Sequence, residues 1–436
     1  MKHKTQGNNY AMTAGLVALA VYAIGSAASL KAADVAASAS PTPDGKAVKE
    51  AKKAVEEKKP EPRFKLYGWI EGGITGNPRS PLDNHNFGHL FTDRANEPLL
   101  NQVSIVAERA LDPNATGFDW GFKAWFMYGS DARYAQPLGP LNFVTDQRVQ
   151  PAFIEAYASL HLPVLTSGGV DFKLGQYADP MSAETIDPRS NVFYSHSYIF
   201  NFGVPTTDLG ALAVQHVNKY LDIYAGINRG VNTAIYDNNN SVAFEGGIGL
   251  NLLDGNLTTV ALTHIGPENP NNNHDYRYLN DMTTTWKINK CLTSITDLNL
   301  IYDTLPGAGW GGGFAQYFTY QFNDWLIAGV RSEVWRDSDG FYVAQFRANN
   351  DFLHLLNGDV VAPDPSNRGG GRTTYFETTF GVTFKPNVPK PLAGLLIRPE
   401  VRYDRALTNT TPFSGSNGLG NKRDQITLGL DVILEF

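Results

Sequence analysis

Residues 118–129 read FDWGFKAWFMYG. An extended chain puts Phe118, Trp120, Phe122, Ala124, Phe126 and Tyr128 on one face and Asp119, Gly121, Lys123, Trp125 and Met127 on the other. The first row carries no charge. The same split recurs in GVDFKLGQYA (169–178), YLDIYAGIN (220–228) and GLLIRPEVRYD (394–404). It recurs again in the closing DQITLGLDVILEF (424–436), where Ile426, Leu428, Leu430, Val432 and Leu434 alternate up to a terminal Phe436. Segments of this kind start near Phe64, Asn101, Phe118, Ala152, Val170, Thr206, Leu221, Val242, Leu257, Tyr278, Leu292, Gly313, Trp325, Thr373, Leu395 and Gln425, giving about 16 strands.

A stripe that excludes charge over so many strands must meet either a second apolar sheet or lipid. The connections decide between them. DPNATG, VNK, LDG, NK and ND are fit for tight turns, and they alternate with long segments such as GNPRSPLDNHNFGHLFTDRANEP and DPMSAETIDPRSNVFYSHSYIFNFGVP. A sandwich has no reason for that alternation, whereas an outer-membrane barrel has short periplasmic turns on one rim and long extracellular loops on the other. The expected fold is therefore an all-β transmembrane antiparallel barrel. Closure pairs every strand, because hydrocarbon cannot satisfy a sheet edge. An Arg on the lipid face at midplane would cost about 2–4 kcal/mol, which keeps charges to one parity. Tyr128, Trp286, Tyr302, Trp325 and Trp335, near strand ends, are expected in interfacial girdles.

Ahead of the strands, Lys2, His3 and Lys4 precede the apolar run AMTAGLVALAVYAIG and the small residues SAAS, which reads as a signal peptide over 1–28. The run is too short to span a bilayer of about 30 Å comfortably. Residues 29–62, rich in Ala, Lys, Glu and Pro, cannot bury enough surface to offset their ordering entropy and read as a periplasmic tether, with the barrel occupying 63–436. The 36 basic and 43 acidic residues leave a net charge of −7, and the acidic excess lies in the barrel segment, which disfavours nucleic acid. A single cysteine, Cys291, forbids an intrachain disulfide, and no His-rich or strained turn surrounds it, so a structural role is expected of it.

One stretch carries a resemblance. In VDFKLGQYADPMSAETIDPRSNVFYSHSYIFNFGVPTTDLG (170–210), a strand ends in Gly175, Gln176 and Tyr177, Glu184 follows in the loop, and Asn191, Phe193, Tyr194, Ser195, Ser197 and Tyr198 lead to Pro205, Thr206 and Gly210. This resembles the OmpL-like beta-barrel porin family, as do YGWIEGGITGN and IRPEVRYDRA, so the likeness covers essentially residues 64–436. His196 stands where that pattern more commonly has Arg. The resemblance implies an outer-membrane channel for passive diffusion of small hydrophilic solutes, surrounded by membrane lipid and lipopolysaccharide. It also implies that the assembly machinery reads the last strand ending in Phe436. A barrel of this size is compatible with a homotrimer, although no sequence feature specifies one.

The candidate constriction is a loop over 179–205 folded into a wet lumen. There Glu184, Asp187 and Arg189 would face the wall charges Lys123, Arg331, Glu333, Arg398, Glu400 and Arg402. Fixed charges at a narrowing select solutes by sign. The competing reading is that these groups pair with one another and simply hold the loop. Ser195, His196 and Asn201 supply the residue types of a lipid hydrolase, but neighbours in an extended stretch point apart, so no enzyme is expected. His85 and His89 lie among Pro, Asn and Gly and read as an exposed polar loop rather than a metal site, and no cofactor motif is found. The rival to a channel is a structural or adhesive barrel plugged by its own loops.

Overall fold

The computed structural model describes residues 63–343 and 371–436, apart from Pro140, Phe143 and Asp146. The signal peptide and tether, and part of the long segment after Arg336, lie outside the described residues. Sixteen strands form one closed antiparallel barrel in which sequence neighbours pair throughout. They are β1 (Phe64–Gly76), β2 (Pro98–Arg109), β3 (Asp119–Gly129), β4 (Gln150–Leu162), β5 (Val170–Ala178), β6 (Thr207–Asn218), β7 (Leu221–Asn228), β8 (Ala243–Leu252), β9 (Leu257–Pro267), β10 (Tyr276–Lys287), β11 (Leu292–Asp303), β12 (Gly309–Asn323), β13 (Leu326–Asp337), β14 (Thr373–Phe384), β15 (Gly394–Ala406) and β18 (Asp424–Glu435). Each begins within about four residues of the position read from the alternation. The sequence reading missed a small hairpin outside the barrel sheet, β16 (Phe413–Gly415) and β17 (Gly418–Lys422), whose short strands do not alternate.

Closure joins the first strand to the last, with Trp69 opposite Glu435 and Gly76 opposite Leu428. Gly68 and Phe436 exchange both backbone hydrogen bonds, at 2.9 and 3.0 Å, so the terminal residue completes the seam. Two short helices sit in loops, α1 (Ala132–Ala135) and α2 (Tyr198–Phe202).

The uncharged stripe faces outward, as Trp120, Phe126, Ile223, Phe318, Leu430 and Val432 illustrate, all of them exposed. Tyr128, Trp286, Tyr302 and Trp325 are also exposed, in keeping with a girdle. Trp335 is not. It is fully buried on the lumenal side, sharing parity with Glu333, so its assignment to the girdle is corrected. Cys291 is exposed in a tight turn, where its N–H bonds Asn289 Oδ1 at 2.8 Å, and it packs no core.

The apolar core lies inside the cylinder. Phe91, Tyr134, Phe193, Tyr198, Ile199 and Phe202 from loops and short helices pack with Leu262, Leu279, Ile301, Tyr317 and Tyr375 from the wall. In the long-loop half of the barrel the lumenal side chains are buried on strand after strand, from Glu71 and Gln102 through Tyr177, Glu245, His264, Asp297 and Glu333 to Asp404 and Asp431. Towards the short-turn rim the lumen opens, and Tyr157, Lys173, Tyr224, Thr283 and Thr319 are half exposed. The wet, narrowed lumen expected from sequence is therefore, among the described residues, a vestibule capped by inserted loops.

Candidate constriction in the lumen

Residues 179–206 leave β5, run down inside the barrel and return to β6. Asp179 N–H bonds the Thr206 carbonyl at 3.1 Å, which closes the base of the loop. A loop taken into the interior carries backbone N–H and C=O groups that must find partners there. The wall supplies charged ones. Glu333 accepts the N–H groups of Tyr198 and Ile199 at 2.7 and 2.8 Å, and Glu400 accepts those of Tyr194 and Ser195 at 2.9 and 3.1 Å. Arg398 donates to the carbonyls of Pro188 and Asn191 at 2.7 and 3.0 Å, and Arg402 to that of His196 at 2.6 Å. Asp281 and Asp297 take the N–H groups of Ser182 and Ala183, each at 2.9 Å. Charge-assisted bonds of this kind contribute about 1.5–3 kcal/mol each.

At the centre, Arg331 bonds Glu184 Oε1 at 2.7 Å and Glu377 Oε1 at 2.6 Å, and donates to the Ser195 carbonyl at 2.7 Å. Glu184 also accepts from Tyr317 Oη at 2.9 Å and Ser197 N–H at 3.0 Å, and its Oε2 lies 2.8 Å from His196 Nδ1. Burial pushes the Glu184 carboxyl up, but Arg331, His196 and the Ser197 N–H outweigh it and hold the group down at about 2. Asp187 and Arg189 pair with each other at 2.6 Å at the bottom of the loop, where the guanidinium lies 4.0 Å from the Trp69 ring centroid and 3.7 Å from Glu435. The structure thus gathers Glu184, Arg331, Glu333, Arg398, Glu400 and Arg402 around the loop and places Asp187 and Arg189 near the vestibule. Lys123 stands apart from that group and pairs with Glu155 on β4.

The first loop, between β1 and β2, enters the same space. His85 and His89 are buried rather than exposed, which corrects the reading of this segment as a surface loop. His89 lies 3.1 Å from both Asp404 Oδ2 and Thr92 Oγ1, and burial, reinforced by Arg402, lowers its imidazole to about 4. Phe91 packs at a tilt against His196 and Phe200, with ring centroids 4.6 and 5.7 Å away. Gly88 adopts φ +83° under Tyr198, whose hydroxyl would lie 2.8 Å from an added Cβ. Ser195 and His196 engage different partners, Arg331 and Glu184, and form no hydroxyl–imidazole pair.

The sequence reading passed over Glu377, Asp404, Asp431 and Tyr317, yet parity carried the signal. Glu377 shares its row with Tyr375 and Thr379, and Asp404 continues the row of Arg398, Glu400 and Arg402.

A sequence model of the family described as putative beta-barrel porin-2, OmpL-like, matches residues 63–436. The chain belongs to this porin family. Its barrel is similar to solved outer-membrane proteins at low identity. The outer-membrane channel DcaP of Acinetobacter baumannii matches at TM-score 0.51 and 10% identity, covering 86% of this chain and 97% of that one. An anion-selective porin from Comamonas acidovorans matches at 0.52 and 9%, covering 86% and 99%, and Pseudomonas putida OprB at 0.52 and 11%, covering 86% and 94%. No sequence among the curated proteins matches. The likeness to these structures concerns the fold. Family membership makes this porin an outer-membrane β-barrel, in agreement with the uncharged outer stripe.

Proposed function

We propose that this porin is a passive diffusion channel for small hydrophilic solutes, and that residues 179–206 form its gate, seated across the lumen in the state described. One observation carries this reading: the loop is fastened to the wall by carboxylates and guanidiniums acting on its backbone. Buried ion pairs add little net stability over apolar packing, and water can take over every one of these bonds once the loop lifts. Phe193, Tyr198, Ile199 and Phe202 give the loop apolar packing as well, and a plug serving only to fill the barrel could rest on that packing without charged wall groups turned to its backbone. The wall charges Arg331, Glu333, Arg398, Glu400 and Arg402, together with Glu184, Asp187 and Arg189, would then line the opened path. The excess of buried carboxylates over arginines favours cations.

Burial of the lumenal row in the upper barrel favours a second reading, a structural barrel that never conducts. Single-channel recording in planar bilayers separates the two. The gate reading expects infrequent openings in the full-length protein, frequent ones when residues 182–203 are replaced by a short Gly/Ser linker, and a cation-selective reversal potential under a salt gradient. Silence in the full-length protein together with unchanged silence in the replaced variant would overturn it.

A further inference from the structure

Beside the gate, three carboxylates are arranged unlike the others in the wall. Asp179 is the first residue after β5, Asp208 lies on β6 and Glu245 on β8, and one oxygen from each falls within 4.8 Å of the other two. Each is held by one oxygen only. Asp179 Oδ1 accepts from Met181 N–H at 2.7 Å, Asp208 Oδ2 from Asn228 Nδ2 at 3.2 Å, and Glu245 Oε2 from Tyr177 Oη at 3.2 Å. The second oxygen of each is buried with no donor group on it, those of Asp179 and Asp208 facing each other within hydrogen-bond reach, and the Asp208 and Glu245 side chains are fully shielded from solvent. No Lys or Arg among the described residues forms an ion pair with any of the three, whereas Glu184, Glu377, Asp404 and Asp431 each have an arginine. Nor does the gate use them as it uses Glu333 and Glu400, which grip pairs of loop N–H groups.

One half-buried and two buried carboxylates with converging oxygens repel one another, and the field of Lys173, which forms no ion pair with them, offsets their desolvation cost only in part. Oxygens bound at 2.3–2.6 Å to one calcium ion stand no more than about 5 Å apart, and the 4.8 Å within which these three lie meets that limit. The donor set is all oxygen and, once a cation displaces the protons the carboxyls share, carries three negative charges, suiting a hard divalent cation rather than zinc or copper. We infer that Asp179, Asp208 and Glu245 form a calcium-type divalent-cation site at the root of the inserted loop. Because Asp179 opens that loop, a bound ion would clamp its base to β6 and β8. The site is independent of whether the barrel conducts.

The test uses full-length barrel refolded in detergent, free of lipopolysaccharide, stripped with chelator and titrated with calcium chloride by calorimetry and by thermal unfolding. One equivalent of saturable binding is expected, with a calcium-dependent rise in the unfolding temperature. The double variant Asp208→Asn/Glu245→Gln should weaken binding on the order of a hundredfold and lose that rise, while Asp254→Asn, in an exposed turn, should bind as the parent does. Heat-modifiable migration on gels verifies that the variants are folded. Absence of saturable binding in the parent protein would overturn the inference, as would equal binding by the double variant. So would stabilisation produced by acidification alone with no calcium response, which would mean that the carboxylates share protons instead. Should the double variant fail to fold, the parent titration alone decides.

Discussion

Arg331 is the residue through which the inserted loop, the gate proposed above, is most easily loosened. Its guanidinium ties Glu184 and the Ser195 carbonyl, both on the loop, to Glu377 and Thr379 on β14, and it is fully buried. Replacing it by Met keeps much of the volume but, among the described residues, leaves Glu184 buried with the His196 imidazole as its one basic partner and Glu377 with only Arg402, at 3.8 Å. Removing one partner of a buried pair costs about 3–5 kcal/mol. Part of that penalty stays in the wall, between Glu377 and Thr379, whether or not the loop is seated. The share that depends on seating involves Glu184 and Ser195. If that share is about half, some 2 kcal/mol, the population of released loop rises roughly thirtyfold. Trypsin reads this directly, because Arg189 lies in the loop and cleavage after it follows the open population when reclosing is fast. Arg331→Met should raise the cleavage rate about thirtyfold and increase channel openings in parallel. Arg331→Met/Glu184→Gln, which removes the stranded charge, should recover much of the difference. An Arg331→Met protein cleaved at the parental rate and showing parental currents would refute the reasoning, since the guanidinium would then not be holding the loop.

Acid should loosen the same contact. The Glu184 carboxyl is held at about 2 against its ordinary 4.5, so its contribution is full above 4.5 and is lost as pH falls towards 2. His89, lowered to about 4 from its ordinary 6.5, adds a loss of stability between 6.5 and 4, because only the released state takes up a proton there. Cleavage after Arg189, followed with an acid-tolerant protease of matching specificity or by channel opening, should rise on acidification and be flatter in Glu184→Gln. On the outer face, Leu430→Arg in the middle of β18 should destabilise refolding into lipid vesicles by about 2–4 kcal/mol in a urea titration, and a loss under about 1 kcal/mol would argue against lipid contact there. At the seam, a side chain on Gly68 would meet the Ser104 carbonyl oxygen on β2 and, at 2.8 Å, the Phe436 ring. Gly68→Val should therefore lower the yield of heat-modifiable barrel, and Gly68→Val/Phe436→Leu should recover little of it, because the contact with the Ser104 main chain remains.

The wall was legible because the membrane imposes one rule on every strand. An uncharged row must alternate with a row free to hold charge, and β18 states that rule from Ile426 to Leu434 as plainly as β3 does from Trp120 to Tyr128. Trp335 was misread because an aromatic near a strand end was assigned by position rather than by its parity with Glu333. The filling of the lumen was not legible. Residues 77–97 and 179–206 have the Pro, Asn, Asp and Ser content of a solvated surface, and what makes their burial tolerable is spread through the chain. Glu333 stands 135 residues from Tyr198, Glu400 206 from Tyr194, and Asp404 315 from His89. No local pattern records such pairings. The charged residues of the wall could be placed on the lumenal row, but whether they meet water or main chain depends on where a distant loop comes to rest.

Glu333 and Glu400 take hold of peptide N–H groups, which every amino acid but proline provides in the same place. The grip is therefore indifferent to the side chains at 194, 195, 198 and 199, provided that the main chain follows the same course. Tyr194 and Tyr198 also reach the wall through their hydroxyls, on Asn101 and Asp404, so the positions free to change without rebuilding the socket are exposed ones such as Thr185 and Ser190, and there the main-chain grip would leave the barrel as it is.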